Sequence, residues 1–286
     1  MRFFNYFLRQ YRTYRIRTYL ASKNVDIDNK DIVVFGNPKI EIDDSSEMFL
    51  GDHTYLSNCK ISVKRGSQLV LGDYTSIKGS TISLDKGAVL STEATVFLEQ
   101  VRDYRQRIVL SGAKASVGTG SRIRASMSAN HNAQIRIGRK TYINQGSEIR
   151  CHNSVSIGDY VLISYEVDIF DNNTHDTDWQ SRHRSIEASP PGSFIEKTPP
   201  ASAPISIGNN CWIGKRAAIL KGVSIGDRSI VALSSIVTKS VPEDCLAYGN
   251  PAVWKKTLNS DSSESTNTAD TSGSSEAKSS FIVSSS

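Results

Sequence analysis

A repeat of six residues is the feature of this sequence that most constrains its fold. In "PISIGNNCWIGKRAAILKGVSIGDRSIVALSSIVTKSVP", an Ile or Val occupies every sixth position without a break: Ile207, Ile213, Ile219, Ile225, Val231 and Val237. A second set of small or apolar residues lies two positions earlier: Ile205, Cys211, Ala217, Val223, Ser229 and Ser235. An α-helix repeats its buried face every 3.6 residues and a strand every two, so a period of six fits short strands, each followed by a turn. Such coils bury little alone and must stack, which predicts a parallel β-helix.

The repeat returns upstream in a weaker form. Four segments open with Leu or Ile followed by Gly-Asp, at Leu50, Leu71, Ile157 and Ile225. These segments predict a single β-helix from about Val33 to Val241, with two interruptions. The first, "FLEQVRDYRQRIVL", is charged and fits either a protruding turn or an irregular coil.

The second interruption is a loop of roughly thirty residues without periodicity, at residues 171–204. Long loops inside a compact repeat are usually functional or disordered. This loop contains two of the five histidines and one of the three tryptophans. We therefore expect it to be functional.

The two ends of the chain differ from the repeat. Residues 1–24 mix aromatic residues with arginines and predict a short N-terminal helix. This helix either caps the open end of the β-helix or lies on an anionic membrane surface. The repeat domain is expected at residues 25–258. The remaining segment is 259–286. Of the 27 residues from Ser260 to Ser286, 12 are Ser, and this composition predicts disorder.

The net charge and the cysteines limit which binding partners and which cellular compartment we expect for this protein. A formal net charge of +5 is compatible with an anionic ligand but is too small to imply nucleic acid. The four cysteines lie far apart and form neither a metal-type spacing nor a small disulfide framework, and Cys211 falls on an inward position. We expect a cytoplasmic protein, with peripheral contact at the inner face of the membrane as the alternative for its N-terminus.

Two segments resemble a known family. "VSIGDYVLISYEVDIFDNNTH", and the stretch from Pro204 through "GNPA", resemble the hexapeptide-repeat acyltransferases. The similarity is greatest to the galactoside, maltose and antibiotic O-acetyltransferases, and it is specific over Thr141 to Ala252. The resemblance implies an all-β, left-handed parallel β-helix, a homotrimer, and acetyl-CoA bound between neighbouring subunits.

The resemblance also assigns a general base. His175 in "DNNTHDTDW" occupies the position of the family's catalytic histidine, with His183 as the second choice. A neutral imidazole can remove the proton of an acceptor hydroxyl near pH 7. Asp171 or Asp176 would orient the ring. The backbone N–H of Gly214 is the candidate donor to the developing oxyanion.

Further positions match those that hold the two substrates. For acetyl-CoA they are Gly214, Lys215, Ala232, Leu233, Thr238, Lys239, Pro251 and Lys256. Leu233 stands in a run that is small in the family, and Val253 replaces an arginine found in many members. Asn144 matches a residue that holds the acceptor sugar. Trp179 either stacks on a sugar or anchors the loop.

Other functional classes fit less well. A γ-class carbonic anhydrase needs closely spaced zinc-binding histidines, whereas His131, His152 and His175 are more than twenty residues apart. We therefore expect no metal. A non-catalytic β-helix scaffold remains an alternative. Among acceptors, we expect a carbohydrate hydroxyl of a surface polysaccharide or its precursor, ahead of an antibiotic or a small free sugar.

Overall fold

The computed structural model describes residues 2–27, 30–101, 104, 106–130 and 132–256. The predicted Ser-rich tail lies outside this part of the chain. The described chain winds through three parallel sheets that enclose one apolar core. The predicted parallel β-helix is therefore confirmed.

Each sheet takes every third strand. Sheet A contains β1 (Val33–Phe35), β4 (Tyr55–Ser57), β7 (Ser76–Lys78), β10 (Phe97–Glu99), β13 (Arg122–Ile123), β16 (Tyr142–Ile143), β19 (Leu162–Ile163), β22 (Trp212–Ile213), β25 (Ile230–Val231), β27 (Cys245–Gly249) and β28 (Ala252–Lys256). Sheet B contains β2 (Lys39–Ile42), β5 (Lys60–Val63), β8 (Thr81–Asp85), β11 (Arg107–Ser111), β14 (Ser126–Asn130), β17 (Glu148–Cys151), β20 (Asp168–Phe170), β23 (Ala218–Leu220) and β26 (Ile236–Val237). Sheet C contains β3 (Glu47–Leu50), β6 (Gln68–Leu71), β9 (Val89–Thr92), β12 (Lys114–Val117), β15 (Gln134–Ile137), β18 (Ser154–Ile157), β21 (Ile205–Ile207) and β24 (Ser224–Ile225). The two helices are α1 (Arg2–Ser22) and α2 (Trp179–Glu187).

The strand register explains the period of six. Successive members of the repeat fall on sheets C, A and B in turn, so that one coil of three sheets takes 18 residues. Trp212 accordingly pairs with Ile230 on the next coil. All six Ile and Val residues of the repeat are at most 2 % exposed. Burial of each such side chain contributes roughly 1.5–3 kcal/mol before conformational entropy is counted.

The Gly-Asp pairs form the corners between sheet C and sheet A. At Gly158, a Cβ atom would lie only 2.7 Å from Asn209 Oδ1 and 2.8 Å from the backbone of Gly208, so only glycine fits under the next coil. The following polar residue links the coils. Asn209 Oδ1 accepts from the N–H of Asp159 at 2.9 Å, and Asp227 Oδ1 accepts from the N–H of Asn209 at 2.7 Å.

Helix α1 closes the N-terminal end of the β-helix through its last turns. Leu20 is fully buried, and Tyr19 packs on the core with its hydroxyl accepting from the N–H of Ile42 at 2.9 Å. Arg17 donates to the carbonyl of Ile27 at 2.8 Å. Tyr14, one turn earlier than these contacts, is 68 % exposed. No helix in the described residues has the length and apolarity that crossing a membrane requires.

We predict that the cap stabilises the fold through Leu20. Leu20→Ala should lower the free energy of unfolding by about 2–5 kcal/mol, because it leaves a cavity where the helix meets the first coil. Tyr14→Ala, in the same helix but exposed, should leave it within about 0.5 kcal/mol of the parent. Chemical denaturation of both variants measures the difference. Equal effects would show that the helix does not cap through this contact.

Candidate active site

The long loop leaves sheet B after β20 and returns to sheet C at β21. A short antiparallel neck closes its base: Ala203 donates its N–H to the carbonyl of Asp171 at 2.8 Å, and Asn173 donates to that of Ala201 at 3.0 Å. The buried carboxylate of Asp171 accepts from the backbone N–H groups of His152 and Asn153 at 2.8 and 2.7 Å. Asp171 therefore ties the loop to the coil beneath it.

His175 lies just beyond this neck. Its Nδ1 is 2.9 Å from Glu196 Oε2, and the edge of its ring meets Phe194, with the centroids 5.1 Å apart. The Glu196 side chain is 17 % exposed and the His175 side chain 51 % exposed. An ionised carboxylate can only accept, so Nδ1 carries the proton in the neutral ring. The lone pair of Nε2 is then the free basic site.

The residue that orients His175 is Glu196, and the expectation of Asp171 or Asp176 was wrong. The carboxylate of Asp171 already accepts hydrogen bonds from the backbone of His152 and Asn153. Asp176 accepts from the N–H of Asp178 at 3.0 Å, and this hydrogen bond is the main reason that the pKa of Asp176 is lowered. Glu196 lies 21 residues after His175 in an aperiodic segment, so no spacing rule points to it. The available signal was composition, because Glu196 is the single acidic residue between α2 and β21.

Helix α2 orders the outer part of the loop. Asp178 caps its N-terminus by accepting from the N–H groups of Gln180 and Ser181 at 3.2 and 3.0 Å. The first helical residue, Trp179, is 65 % exposed, so most of its indole surface is available to a ligand and little of it anchors the loop. His183 is also exposed, in the middle of the helix.

A second group of predicted residues lies at the corner between sheets A and B. Here four residues on successive coils donate their backbone N–H groups to the carbonyl of the next coil at 2.7–3.0 Å: Asn144, Ser164, Gly214 and Ala232. The Asn144 amide donates to the same carbonyl as its own N–H, that of Ile163, at 3.1 Å. These contacts hold the corner as a straight ladder.

This ladder overturns one expectation. The N–H of Gly214 donates to the carbonyl of Val231 at 2.7 Å and is not available to an oxyanion. The glycine is needed for packing instead, since a Cβ atom there would lie 2.6 Å from the backbone nitrogen of Leu233. The next N–H, that of Lys215, has no acceptor among the described residues.

The remaining predicted acetyl-CoA residues lie at two corners and on the β27–β28 hairpin. Leu233 is 72 % exposed beside Lys215, and Pro251 lies at the turn of the β27–β28 hairpin, where the N–H of Gly249 donates to Ser235 Oγ at 3.2 Å. Thr238 and Lys239 are exposed at the corner between sheets B and C, from which the His175 loop emerges. Lys256 pairs with Cys245 at the opposite end of the hairpin.

A single chain therefore does not assemble the predicted site. His175, Trp179 and Lys239 belong to the corner between sheets B and C, whereas Asn144 and Gly214 belong to the corner between sheets A and B. Among the described residues, no hydrogen bond, ion pair or ring contact joins the loop to the second corner.

The first interruption of the repeat also reaches the corner between sheets A and B. Tyr104 donates its hydroxyl to Glu166 at 2.7 Å, and Arg216 donates to the other oxygen of the same carboxylate at 2.8 Å. These two hydrogen bonds lower the pKa of Glu166. Sequence analysis did not find this cluster, because Tyr104 and Glu166 are 62 residues apart.

The cysteines do not contribute reactive groups. All four are free and buried, as expected for Cys211. Burial raises the pKa of Cys59 to about 12 and also raises that of Cys151 and Cys211. Within the described residues, His, Cys, Asp and Glu side chains do not form a group that could hold a metal ion.

Comparison with known proteins supports the resemblance seen in the sequence. Residues 204–239 match the family model described as "hexapeptide repeat of succinyl-transferase". The chain is 34% identical to the galactoside O-acetyltransferase of Escherichia coli K12 over 138 residues, which is 48% of this chain and 61% of that protein. It is 45% identical to the putative acetyltransferase SAR2635 of Staphylococcus aureus MRSA252 over 67 residues, 23% of this chain and 34% of the relative. The chain thus spans less than two thirds of the length of these relatives.

Solved structures support the fold over a longer stretch. The polySia specific acetyltransferase NeuO superposes with a TM-score of 0.54 at 24% identity, over 76% of this chain and 85% of that one. The structural neighbours are left-handed β-helices, in agreement with the expected hand.

Proposed function

We propose that this chain, which resembles the hexapeptide-repeat acetyltransferases, transfers the acetyl group of acetyl-CoA to a carbohydrate hydroxyl. The observation that carries this proposal is the pair formed by His175 and Glu196. The imidazole is half-exposed and its Nδ1 is held by a mostly buried carboxylate, so Nε2 is left as the basic nitrogen for a ligand. The scaffold alternative offers no reason for this arrangement.

His175 acts as the general base. Its Nε2 accepts the proton of the acceptor hydroxyl as the hydroxyl oxygen attacks the thioester carbonyl. Glu196 stabilises the imidazolium that forms and keeps the ring in one orientation. The imidazolium then returns its proton to the departing sulfur, so that the products are an O-acetyl ester and free CoA.

The backbone N–H of Lys215 is the donor we propose for the oxyanion. It is adjacent to Gly214 on the same corner, and it differs from the Gly214 N–H in having no acceptor among the described residues. A preorganised backbone donor of this kind typically contributes 10²–10³-fold, about 2.7–4 kcal/mol, to an acyl transfer.

Acetyl-CoA supplies the acetyl group as a thioester, and the exposed residues of both corners suit its other parts. Leu233 and Ala232 offer an apolar edge to the pantetheine arm. Lys215, Lys239 and Lys256 are exposed cations that can meet phosphates.

The separation of the two corners favours a homotrimer. The loop that carries His175 projects from one corner, and a neighbouring copy can present its Asn144 and Lys215 corner to that loop. The site is incomplete without the second copy.

The acceptor we propose is a hydroxyl of a surface polysaccharide or its precursor. Exposed Trp179 can stack on a sugar face, and Asn144 can hydrogen-bond it. The similar proteins are named for galactosides and for polySia. Four free cysteines favour a reducing, cytoplasmic setting, in which the outer part of α1 can contact an anionic membrane surface. An antibiotic or small free sugar is the second candidate.

We predict that His175→Ala lowers kcat for acetyl transfer by roughly 10²–10⁴ and removes the acidic limb of the pH–kcat profile. Glu196→Ala should lower kcat by about tenfold or more, because the ring loses its orientation and its counter-charge. The KM for acetyl-CoA should hardly change in either variant. Release of free CoA across a panel of acceptors measures all of these quantities.

Glu187→Ala is the matched control for Glu196→Ala. Glu187 is an exposed carboxylate in the same loop, at the end of α2. This variant should keep the parent kcat. Near-normal turnover by His175→Ala on a genuine acceptor would require another base, such as His183.

Lys239→Ala should have the opposite kinetic signature. We expect weaker acetyl-CoA binding, by about 1–3 kcal/mol, through loss of one charge-assisted contact, with the acidic limb retained. Calorimetric titration with CoA measures the affinity. An unchanged affinity would remove Lys239 from the proposed CoA site.

The oligomeric state tests the division of the site between copies. We expect sedimentation equilibrium at micromolar concentration to give three times the mass of the chain. A monomer with full acetyltransferase activity would contradict the shared site.

A further inference from the structure

A cleft separates helix α1 from the first coil of the β-helix, at the corner between sheets A and B. Its volume is about 370 Å³, with the helix as one wall and the start of β2 as the other. Three cations line it, namely Arg12, Arg15 and Lys39. All three are exposed, and none of them forms an ion pair within the part of the chain that the structure describes.

Among the described residues, no carboxylate lines this cleft. Helix α1 contains no Asp or Glu, and the corners between sheets A and B in the first three coils, residues 36–38, 58–59 and 79–80, contain none either. The described carboxylates of the first coil are all engaged elsewhere: Asp26 with Lys30, Asp31 with His53, Glu41 with Lys64, Asp43 with the N–H of Arg65, Asp44 with Lys23 and Glu47 with Gln68.

A fourth cation increases the positive charge at this corner. Lys60 is exposed on β5, directly beside Lys39 in the strand register. Two like charges on neighbouring strands repel each other, and no described carboxylate separates them. The surplus of positive charge is therefore local to this corner and suits an anionic ligand.

The open edge of β2 adds a backbone donor to the cleft. Sheet B begins at β2, which pairs with β5 on one side only. Lys39 and Asp43 donate their N–H groups to the next coil, so those of Ile40 and Ile42 point to the open edge, toward α1. The Tyr19 hydroxyl accepts from the N–H of Ile42 at 2.9 Å. The N–H of Ile40, which lines the cleft, has no acceptor among the described residues.

The cleft also has an apolar floor. Pro38 is buried, and Ile16 and Ile40 are partly buried, so apolar surface lies beside the cations. Tyr11 and Tyr14 are 58 % and 68 % exposed on the adjoining side of the helix. Tyrosine and arginine both place an apolar body and a polar tip at a membrane interface. A free phosphate would contact the cations but would leave this apolar surface uncovered, whereas a lipid covers both.

We propose that this cleft binds the phosphate headgroup of an anionic phospholipid. Arg12 and Arg15 pair with the phosphate oxygens, and Lys39 supplies a third positive charge. The N–H of Ile40 donates to the same phosphate, and the apolar floor contacts the start of the acyl chains. The proposal gives a defined site to the membrane contact of α1. It does not rest on acetyl transfer, because the candidate active site belongs to later coils.

Vesicle binding tests this site in the full chain. The purified protein is sedimented with vesicles of phosphatidylcholine alone and with vesicles of phosphatidylcholine mixed with phosphatidylglycerol. We expect binding to the mixed vesicles only, and weaker binding as salt is added. Arg12→Gln and Lys39→Gln should each weaken this binding about fivefold, which is the effect of one cation near an anionic surface.

Arg107→Gln is the matched control. Arg107 is exposed on β11, further along the same sheet, and its replacement changes the net charge by the same amount. This variant should keep the parent affinity. Lys39→Gln separates the cleft from the helix, because Lys39 lies on the first coil and a helix that merely lies on the membrane does not need it. An unchanged melting temperature in all variants excludes misfolding as the cause.

Two soluble ligands distinguish a lipid headgroup from a free phosphate. Short-chain phosphatidylglycerol, kept below its micelle concentration, and inorganic phosphate are each titrated into the protein by calorimetry without vesicles. We expect the lipid to bind about tenfold more tightly or better, because it alone covers the apolar floor. Equal affinity for inorganic phosphate would assign the cleft to a free phosphate and overturn the lipid assignment.

The outcomes also separate this site from the proposed function. His175→Ala should bind vesicles as the parent does. If the parent acetylates no acceptor but its vesicle binding depends on Arg12 and Lys39, the proposed function fails and the lipid site stands. The site is overturned if the mixed vesicles do not bind, if Arg107→Gln weakens binding as much as Lys39→Gln, or if Arg12→Gln changes the oligomeric state, which would assign the cleft to a neighbouring copy.

Discussion

The register of parallel hydrogen bonds between successive coils is the constraint on which the rest of this structure depends. Each coil must place its strands directly over those of the previous coil, because the backbone groups of the inner strands of each sheet pair with the coil on either side. Ile213 and Val231, paired on neighbouring coils, are both buried as a result. Extra residues can be accommodated only at corners, where the chain turns and no ladder is broken. The long loop and the first interruption both leave the solenoid between strands, as this requires.

The same ladder limits what the corners can do chemically. The N–H of Gly214 looks like a free turn donor in the sequence, but the stacked coils commit it to Val231. The N–H of the neighbouring Lys215 has no acceptor among the described residues. The position of His175 does not depend on this ladder. Its loop is held by the antiparallel neck and by helix α2, and its ring is held by Glu196.

Prediction from sequence succeeded where a local repeat carried the information. The hexad predicted the β-helix and its core, whereas the catalytic role of His175 comes from the resemblance and stays a prediction. Sequence analysis failed to predict which carboxylate orients the His175 ring. Asp171 is part of the neck, and Glu196 becomes a neighbour of His175 only when the loop folds. Tyr104 and Glu166 were missed for the same physical reason, since contacts between distant residues in an irregular segment leave no period to detect.

By itself, the sequence determined the kind of solenoid, the inward residues and the loop that carries the candidate base, because each of these follows from a pattern within a few neighbouring residues. The tertiary structure alone decided which N–H is free at the corner near Gly214, which carboxylate holds His175, and that Asn144 and His175 lie on different corners. It also aligned Tyr55, Phe97, Tyr142 and Trp212, although their separations in sequence are unequal. Stacking converts unequal lengths of chain into equal steps in space, so these side chains are aligned on sheet A only once the coils are in register.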